Sequence, residues 1–202
     1  MEGIFFYWLF WLFWILTTFF VGRQKSYRLK VSIWLLLALI LSLQSFTFMS
    51  FQMSWTSLFM LLTSYMVIAR LKRRQLAYFI IVSFIVMLSY TSFMLFELFD
   101  PVWLIIDRKW LLALLIAYLS VMIQKTPILR TLTAITGSIH GDLLFAFIIN
   151  KFSFPYYIGS FAFLDVIALV VALILAWSGL EKMAIYFEYH INHLEREKQK
   201  QS

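Results

Sequence analysis

Apolar runs, each several helical turns long and separated by short charged or hydroxylated breaks, recur seven times along the chain. They cover residues 3–21, 31–49, 55–69, 76–96, 110–124, 131–150 and 158–180. A helix crossing a hydrocarbon core about 30 Å thick takes about 20 such residues; the stretches at 55–69 and 110–124 are the short ones. Residues 35–41 and 166–176 are apolar without interruption, whereas a membrane β-barrel would alternate apolar and polar positions over strands of about 10 residues. The pattern predicts an all-α fold, a polytopic transmembrane bundle of about seven spans, with backbone polar groups paired inside each helix. The uncharged connection at 50–54 predicts a tight hairpin between the second and third spans.

The breaks carry the charge, and the charge predicts orientation. Arg23, Lys25, Arg28 and Lys30 follow the first run, and Arg70, Lys72, Arg73 and Arg74 follow the third. Cationic loops stay in the cytoplasm, so the amino terminus is expected outside and the carboxyl terminus inside. With seven spans only Arg108, Lys109 and Lys151 face out, leaving 14 of the 17 basic residues inside (17 less 3). The first run does not read as a cleaved signal peptide, because Glu2 stands where a signal would be basic and no small-residue cleavage site follows. Its aromatic crowding reads as packing, with Tyr7 and Trp8 as anchors at the outer interface.

Composition narrows the function classes. Of 202 residues 63% are apolar and 13% charged, against about 45–50% and about 25% in a soluble domain. A water-soluble globule is excluded, and with it the basic soluble module that nucleic-acid binding requires. The surplus positive charge reads as topogenic, with attraction to anionic inner-leaflet lipids. Having no cysteine, the chain lacks disulfides, thiolate metal sites and cysteine nucleophiles. No nucleophile elbow, phosphate loop, His-Glu-x-x-His helix or glycine-rich nucleotide turn is present, so no catalytic residue, cofactor or metal is expected.

Two units are expected: a helical bundle over 1–180, and a cytoplasmic tail over 181–202 that begins after a C-capping Gly179. In the tail Leu180, Met183, Phe187, Ile191 and Leu194 recur at helical spacing between charged residues, which predicts an amphipathic helix. It would lie along the inner leaflet or dock a protein partner. His190 and His193, with Glu197 four residues on, lack a further ligand and read as solvated. On the outer side, the segment 97–109 holds an apolar patch, Val102 to Ile106 with Trp103, after Pro101. It would rest at the lipid boundary or meet a protein partner.

The candidate site is in the sixth span, TLTAITGSIHGD over 131–142. His140 stands near its midpoint and Asp142 two residues nearer the outside. A charged Asp at the centre of a bilayer costs about 2.5–3.5 kcal/mol on insertion scales, so it must be neutral, paired or hydrated. Asp165 is as far from the centre of the next connection as Asp142, which predicts similar depth and, for adjacent carboxylates, a shared proton. His140 or Lys151 could supply compensating charge. His140 and Asp142 point about 200° apart on a helix, so the sixth span should be central, with neighbours on both sides. Gly137 and Gly141 form a GxxxG pair that lets another helix approach closely. His140, Asp142 and Asp165 read either as a proton- or ion-handling site of a small transporter or channel, or as interhelical hydrogen-bond glue.

The opening Met1-Glu2-Gly3-Ile4-Phe5-Phe6-Tyr7, the aromatic first span, the basic loop after it and the overall length together resemble the YphA/SeaA family of small polytopic membrane proteins of endospore-forming Bacillus-type bacteria. The resemblance implies a role in sporulation, in assembly of the spore envelope, without an established enzymatic activity. The expected function is that of a cell-membrane assembly or interaction factor, the alternative being the proton-coupled transporter or channel.

Overall fold

The computed structural model describes residues 2–22, 25, 27–48, 51–100, 102 and 106–201, with side chains as far as His190 and excluding that of Phe48. Among the described residues seven α-helices follow one another: α1 (Ile4–Ile15), α2 (Tyr27–Leu41), α3 (Trp55–Ile68), α4 (Arg73–Phe99), α5 (Arg108–Ile123), α6 (Pro127–Asn150) and α7 (Phe161–Gln201). Three short strands, β1 (Ser45–Phe48), β2 (Phe51–Ser54) and β3 (Tyr157–Ile158), complete the chain. The all-α bundle expected from the apolar pattern is present, one helix for each run. α4, α6 and α7 are long and apolar enough to cross a membrane; α1 with its continuation to Phe20, and α3, are shorter apolar helices.

Local chemistry sets the helix ends. Ser54 caps α3 by accepting from the Ser57 amide, and Asp107 caps α5 by accepting from the Lys109 amide; both satisfy donors that a first helical turn leaves free. Pro127 opens α6 at a position where a missing N–H costs nothing. At the end of α1 the Thr17 hydroxyl donates back to the Phe13 and Trp14 carbonyls, and the helix widens to a π-helical turn over Leu16–Phe20.

Two expectations on element ends are corrected. The second span does not continue to residue 49: α2 stops at Leu41, and β1 and β2 form an antiparallel hairpin in register Ser45↔Ser54 to Phe48↔Phe51. The cause is legible, since Ser45-Phe46-Thr47-Phe48 alternates polar and apolar with the period of a strand. β3, from the connection between α6 and α7, adds to β2 in parallel. Gly179 does not end the last span either, because α7 runs through it to Gln201. Glu181 accepts from Trp177 Nε1 one turn earlier at 2.8 Å and from both terminal nitrogens of Arg130, so side-chain bonds clasp the helix on both sides of the glycine. Of the expected outer anchors, Trp8 is exposed, whereas the Tyr7 hydroxyl turns inward to Ser42 Oγ at 2.8 Å.

α6 is central, as its two polar stripes predict: it packs against α3, α4, α5 and α7. Its contact with α4 runs along the glycine pair. A methyl group on Gly137 would stand 2.6 Å from Val86 Cβ and 2.9 Å from the Ser83 carbonyl oxygen; one on Gly141 would stand 2.8 Å from Tyr90 Cβ. At that separation the Thr91 hydroxyl reaches the Gly141 carbonyl at 3.0 Å. The core then extends through α5 and α7, where Ile116, Ile167 and Ile174 are fully buried.

The two helical glycines therefore respond oppositely to alanine. Gly137→Ala overpacks the α4–α6 contact and lowers stability by about 1–3 kcal/mol. Gly179→Ala meets nothing within 4 Å and raises stability by up to about 1 kcal/mol, the helix-propensity difference. Thermal unfolding in detergent micelles reads both signs; a capping Gly179 at positive φ would give a loss.

Candidate functional site

α6 presents His140 and Asp142 to different neighbours, as their angular separation requires. Asp142 is fully buried and faces α4 and the connection to α7. Its Oδ1 accepts from the hydroxyls of Tyr90 (3.2 Å) and Tyr156, and its Oδ2 from the Gly159 amide at 2.7 Å. Three donors around one carboxylate replace the water it has lost. They also hold the 156–159 segment down against the bundle, where β3 meets β2. Gly159 has φ +71°, and a methyl group there would overlap the hydroxyls of Ser54 and Ser57, so this close seat needs glycine.

Asp165 lies near the start of α7, fully buried, and binds the amino-terminal end of α1. Its Oδ2 accepts from the Gly3 amide at 2.9 Å and its Oδ1 from the Phe6 amide at 2.9 Å. Gly3 precedes α1 in a left-handed conformation, without a cap from its own neighbourhood. Asp165 is thus an N-cap supplied by another helix, 162 residues away in sequence. The same Oδ2 takes a 2.7 Å ion pair from Lys109 Nζ at the start of α5. One carboxylate ties together α1, α5 and α7.

His140 belongs to a third set. Nδ1 lies 2.6 Å from the Thr136 carbonyl, which can only accept, so Nδ1 carries the proton. Nε2 shares a hydrogen bond with the Tyr65 hydroxyl at 2.6 Å, accepting it in the neutral imidazole. The pair borders a cavity of about 210 Å³ between α3, α4 and α6, with Ser83 and Thr136 also on its wall.

The three residues singled out by sequence therefore occupy three hydrogen-bond sets that share no member. The shared proton expected of Asp142 and Asp165 is replaced by separate donors for each. The compensating cation is Lys109 and not Lys151, which lies over the Phe147 ring at 5.5 Å. Sequence reasoning missed Tyr90, Tyr156, Gly159 and Lys109. It also missed Arg130, buried at the opposite end of α6, which donates to the Gln124 carbonyl at 2.8 Å and pairs with Glu181 at 2.7 and 3.0 Å. Arg130 and Glu181 each stand 20 residues from the α6–α7 connection (150 less 130, 181 less 161), a spacing that places the two charges at similar depth. Trp103 and its neighbours at 104 and 105 in the expected outer patch, and the side chains of Ile191, His193, Leu194 and Glu197, lie outside the described residues.

Comparison with known proteins places the chain. It matches the family described as YphA-like integral membrane protein over residues 2–200 and belongs to that family. The uncharacterized protein YphA of Bacillus subtilis (strain 168) is 27% identical over 184 residues, 91% of this chain and 91% of the relative. No solved structure matches it.

Removing Asp165 leaves a half-buried ammonium and two helix-end amides without their acceptor. Breaking a buried pair from one side costs about 3–5 kcal/mol, and Asp165→Ala is expected to lower stability by that order. A second change, Lys109→Met, should restore part of the loss. Thermal unfolding of the two single variants and the double variant in micelles measures the coupling, and additive losses would contradict the pairing.

Proposed function

We propose that this integral membrane protein crosses the cell membrane seven times, amino terminus outside and carboxyl terminus in the cytoplasm, and acts as a non-catalytic assembly or interaction factor in building the spore envelope. The seven crossings rest on a match of lengths. On α7 the ion-paired Asp165 and Glu181 are 16 residues apart, about 24 Å of helix, and everything between them is apolar except Ser178 and Gly179. α2, α3 and α5 have 15, 14 and 16 residues, close to the same interval. A belt thinner than an average bilayer is met by local thinning or by flanking cations at modest cost.

The observation that carries the functional reading is the unbroken α7. It leaves the bundle at the Arg130–Glu181 pair and continues as helix to Gln201, with Met183, Ile185, Tyr186, Phe187 and Tyr189 exposed. A helix projecting about 30 Å beyond Glu181 and displaying apolar side chains supports binding of a protein partner. Asp142, Asp165 and Arg130 are occupied with joining helices, which favours a scaffold over a transport path. The spore-envelope role comes from the resemblance of the opening residues, aromatic first span, basic loop and overall length to the YphA/SeaA family.

Sidedness and role are tested separately. Because the chain has no cysteine, single cysteines report topology cleanly: Glu2→Cys should react with an impermeant maleimide in intact cells, and Ser202→Cys only after permeabilisation. Reaction at position 202 in intact cells would refute the orientation. Deleting the gene in a spore-forming host should give spores of reduced resistance with a defective envelope, and normal spores would refute the role.

A further inference from the structure

Every described cation at the outer end, and Arg130 at the inner one, has found a partner within the chain. Arg108 pairs with Glu97, Lys109 with Asp165 and Arg130 with Glu181, and Lys151 rests on an aromatic ring. The inner ends of α1 to α4 differ. Residues 3–96 contain eight basic residues and no aspartate or glutamate. Lys25 lies over the Tyr27 ring at 5.9 Å, but among the described residues no carboxylate pairs with Lys25 or Arg28, and these two stand at one cavity.

That cavity, about 520 Å³, opens between α1 and α2. Its polar end holds Lys25, Arg28, Thr18 and Ser32, and its far end Trp14 and Leu36. Arg28 Nη2 donates to the Thr18 carbonyl at 2.6 Å, in the π-helical turn, and the Thr18 and Ser32 hydroxyls are 3.2 Å apart. The widened turn and the arginine thus brace each other, fixing one edge of the guanidinium. From Arg28 to Leu36 the groove follows about 12 Å of α2. It is cationic and hydroxylated at the membrane surface and apolar toward the bilayer interior.

We propose that this groove binds one anionic phospholipid of the inner leaflet, its phosphate on Lys25 and Arg28 and an acyl chain against Trp14 and Leu36. Charge complementarity asks for an anion that residues 3–96 do not contain. The apolar far end selects a lipid over free phosphate, which would leave that wall unused. The leaflet rests on the orientation proposed above; the site itself does not.

Native mass spectrometry of the full chain, released from detergent after titration with phosphatidylglycerol, phosphatidylcholine or inorganic phosphate, tests the site. The expected result is retention of one phosphatidylglycerol per chain, in clear preference to phosphatidylcholine and without uptake of phosphate. Lys25→Gln with Arg28→Gln should weaken retention about thirtyfold, the combined worth of two near-surface cations. Arg28→Lys should keep most of it. Arg73→Gln with Arg74→Gln, which removes two cytoplasmic-end charges away from the groove, should leave it unchanged, and unfolding temperatures confirm that each variant is folded. Equal loss in the two double variants, absence of headgroup preference, or equal retention of free phosphate would each overturn the proposal. Binding in detergent reports the site whichever way the chain is inserted, so its failure and a failure of the cysteine-labelling test are distinguishable.

Discussion

A carboxylate taken out of water must be given donors, and the half of this bundle nearer the α6–α7 connection is arranged around meeting that demand twice. Transfer of an unpaired ionised group into a low-dielectric interior costs far more than any single packing contact returns. Asp142 and Asp165 each draw in three donors, and those donors come from elements otherwise free to drift: the amino-terminal end of α1, the start of α5, a tyrosine of α4, and the connection before α7. In a membrane, where helices gain little by withdrawing apolar side chains from lipid, such fixed polar joints decide which helix ends meet. Packing then completes what the joints begin.

The second determinant is steric. α4 and α6 approach because Gly137 and Gly141 remove the side chains that would hold them apart, and the approach in turn brings Tyr90 within reach of Asp142. Close backbone packing and the polar joint are therefore one device: the glycine on the helix face sets the distance that the hydrogen bond one residue later requires. The Tyr90 ring, packed edge-on to Phe163 of α7 at 5.9 Å, carries the same contact across to the third long helix.

Much of this was legible in the sequence because hydrocarbon acts on composition run by run. Seven apolar stretches became seven helices, and the centrality of α6 followed from polar residues on two of its faces. What escaped the reading escaped for physical reasons. The cap on α1 is made by a residue of α7, and nothing near Gly3 announces that its missing acceptor lies 162 residues away. The hairpin after α2 is apolar enough to pass as membrane span unless its two-residue period is weighed against its hydropathy. Gly179 looked like a stop because local propensity was read without the bonds to Glu181 that bridge it. His140 and the two acids looked like one cluster because spacing along a helix gives depth, whereas the neighbours that surround each face are set by the whole bundle.

The treatment of positive charge follows a single logic across the two membrane faces. In the proposed orientation, Arg108 and Lys109 face outward, where free cations would oppose the insertion that the inner loops direct. Both are joined to carboxylates, and Lys109 is mostly withdrawn from solvent besides. A cation neutralised in this way exerts little long-range field, so the outer face offers weak competition. At the inner ends of α1 to α4 the opposite holds: a topogenic charge works only while it stays unpaired within the chain, and residues 3–96 contain no acid to quench it. The acids on that side are confined to α7 and its extension, where Glu181 is committed to Arg130. Once insertion is complete, those free cations remain next to a surface of anionic headgroups. The groove at Lys25 and Arg28 is the place where this residual charge meets a shape able to hold a lipid.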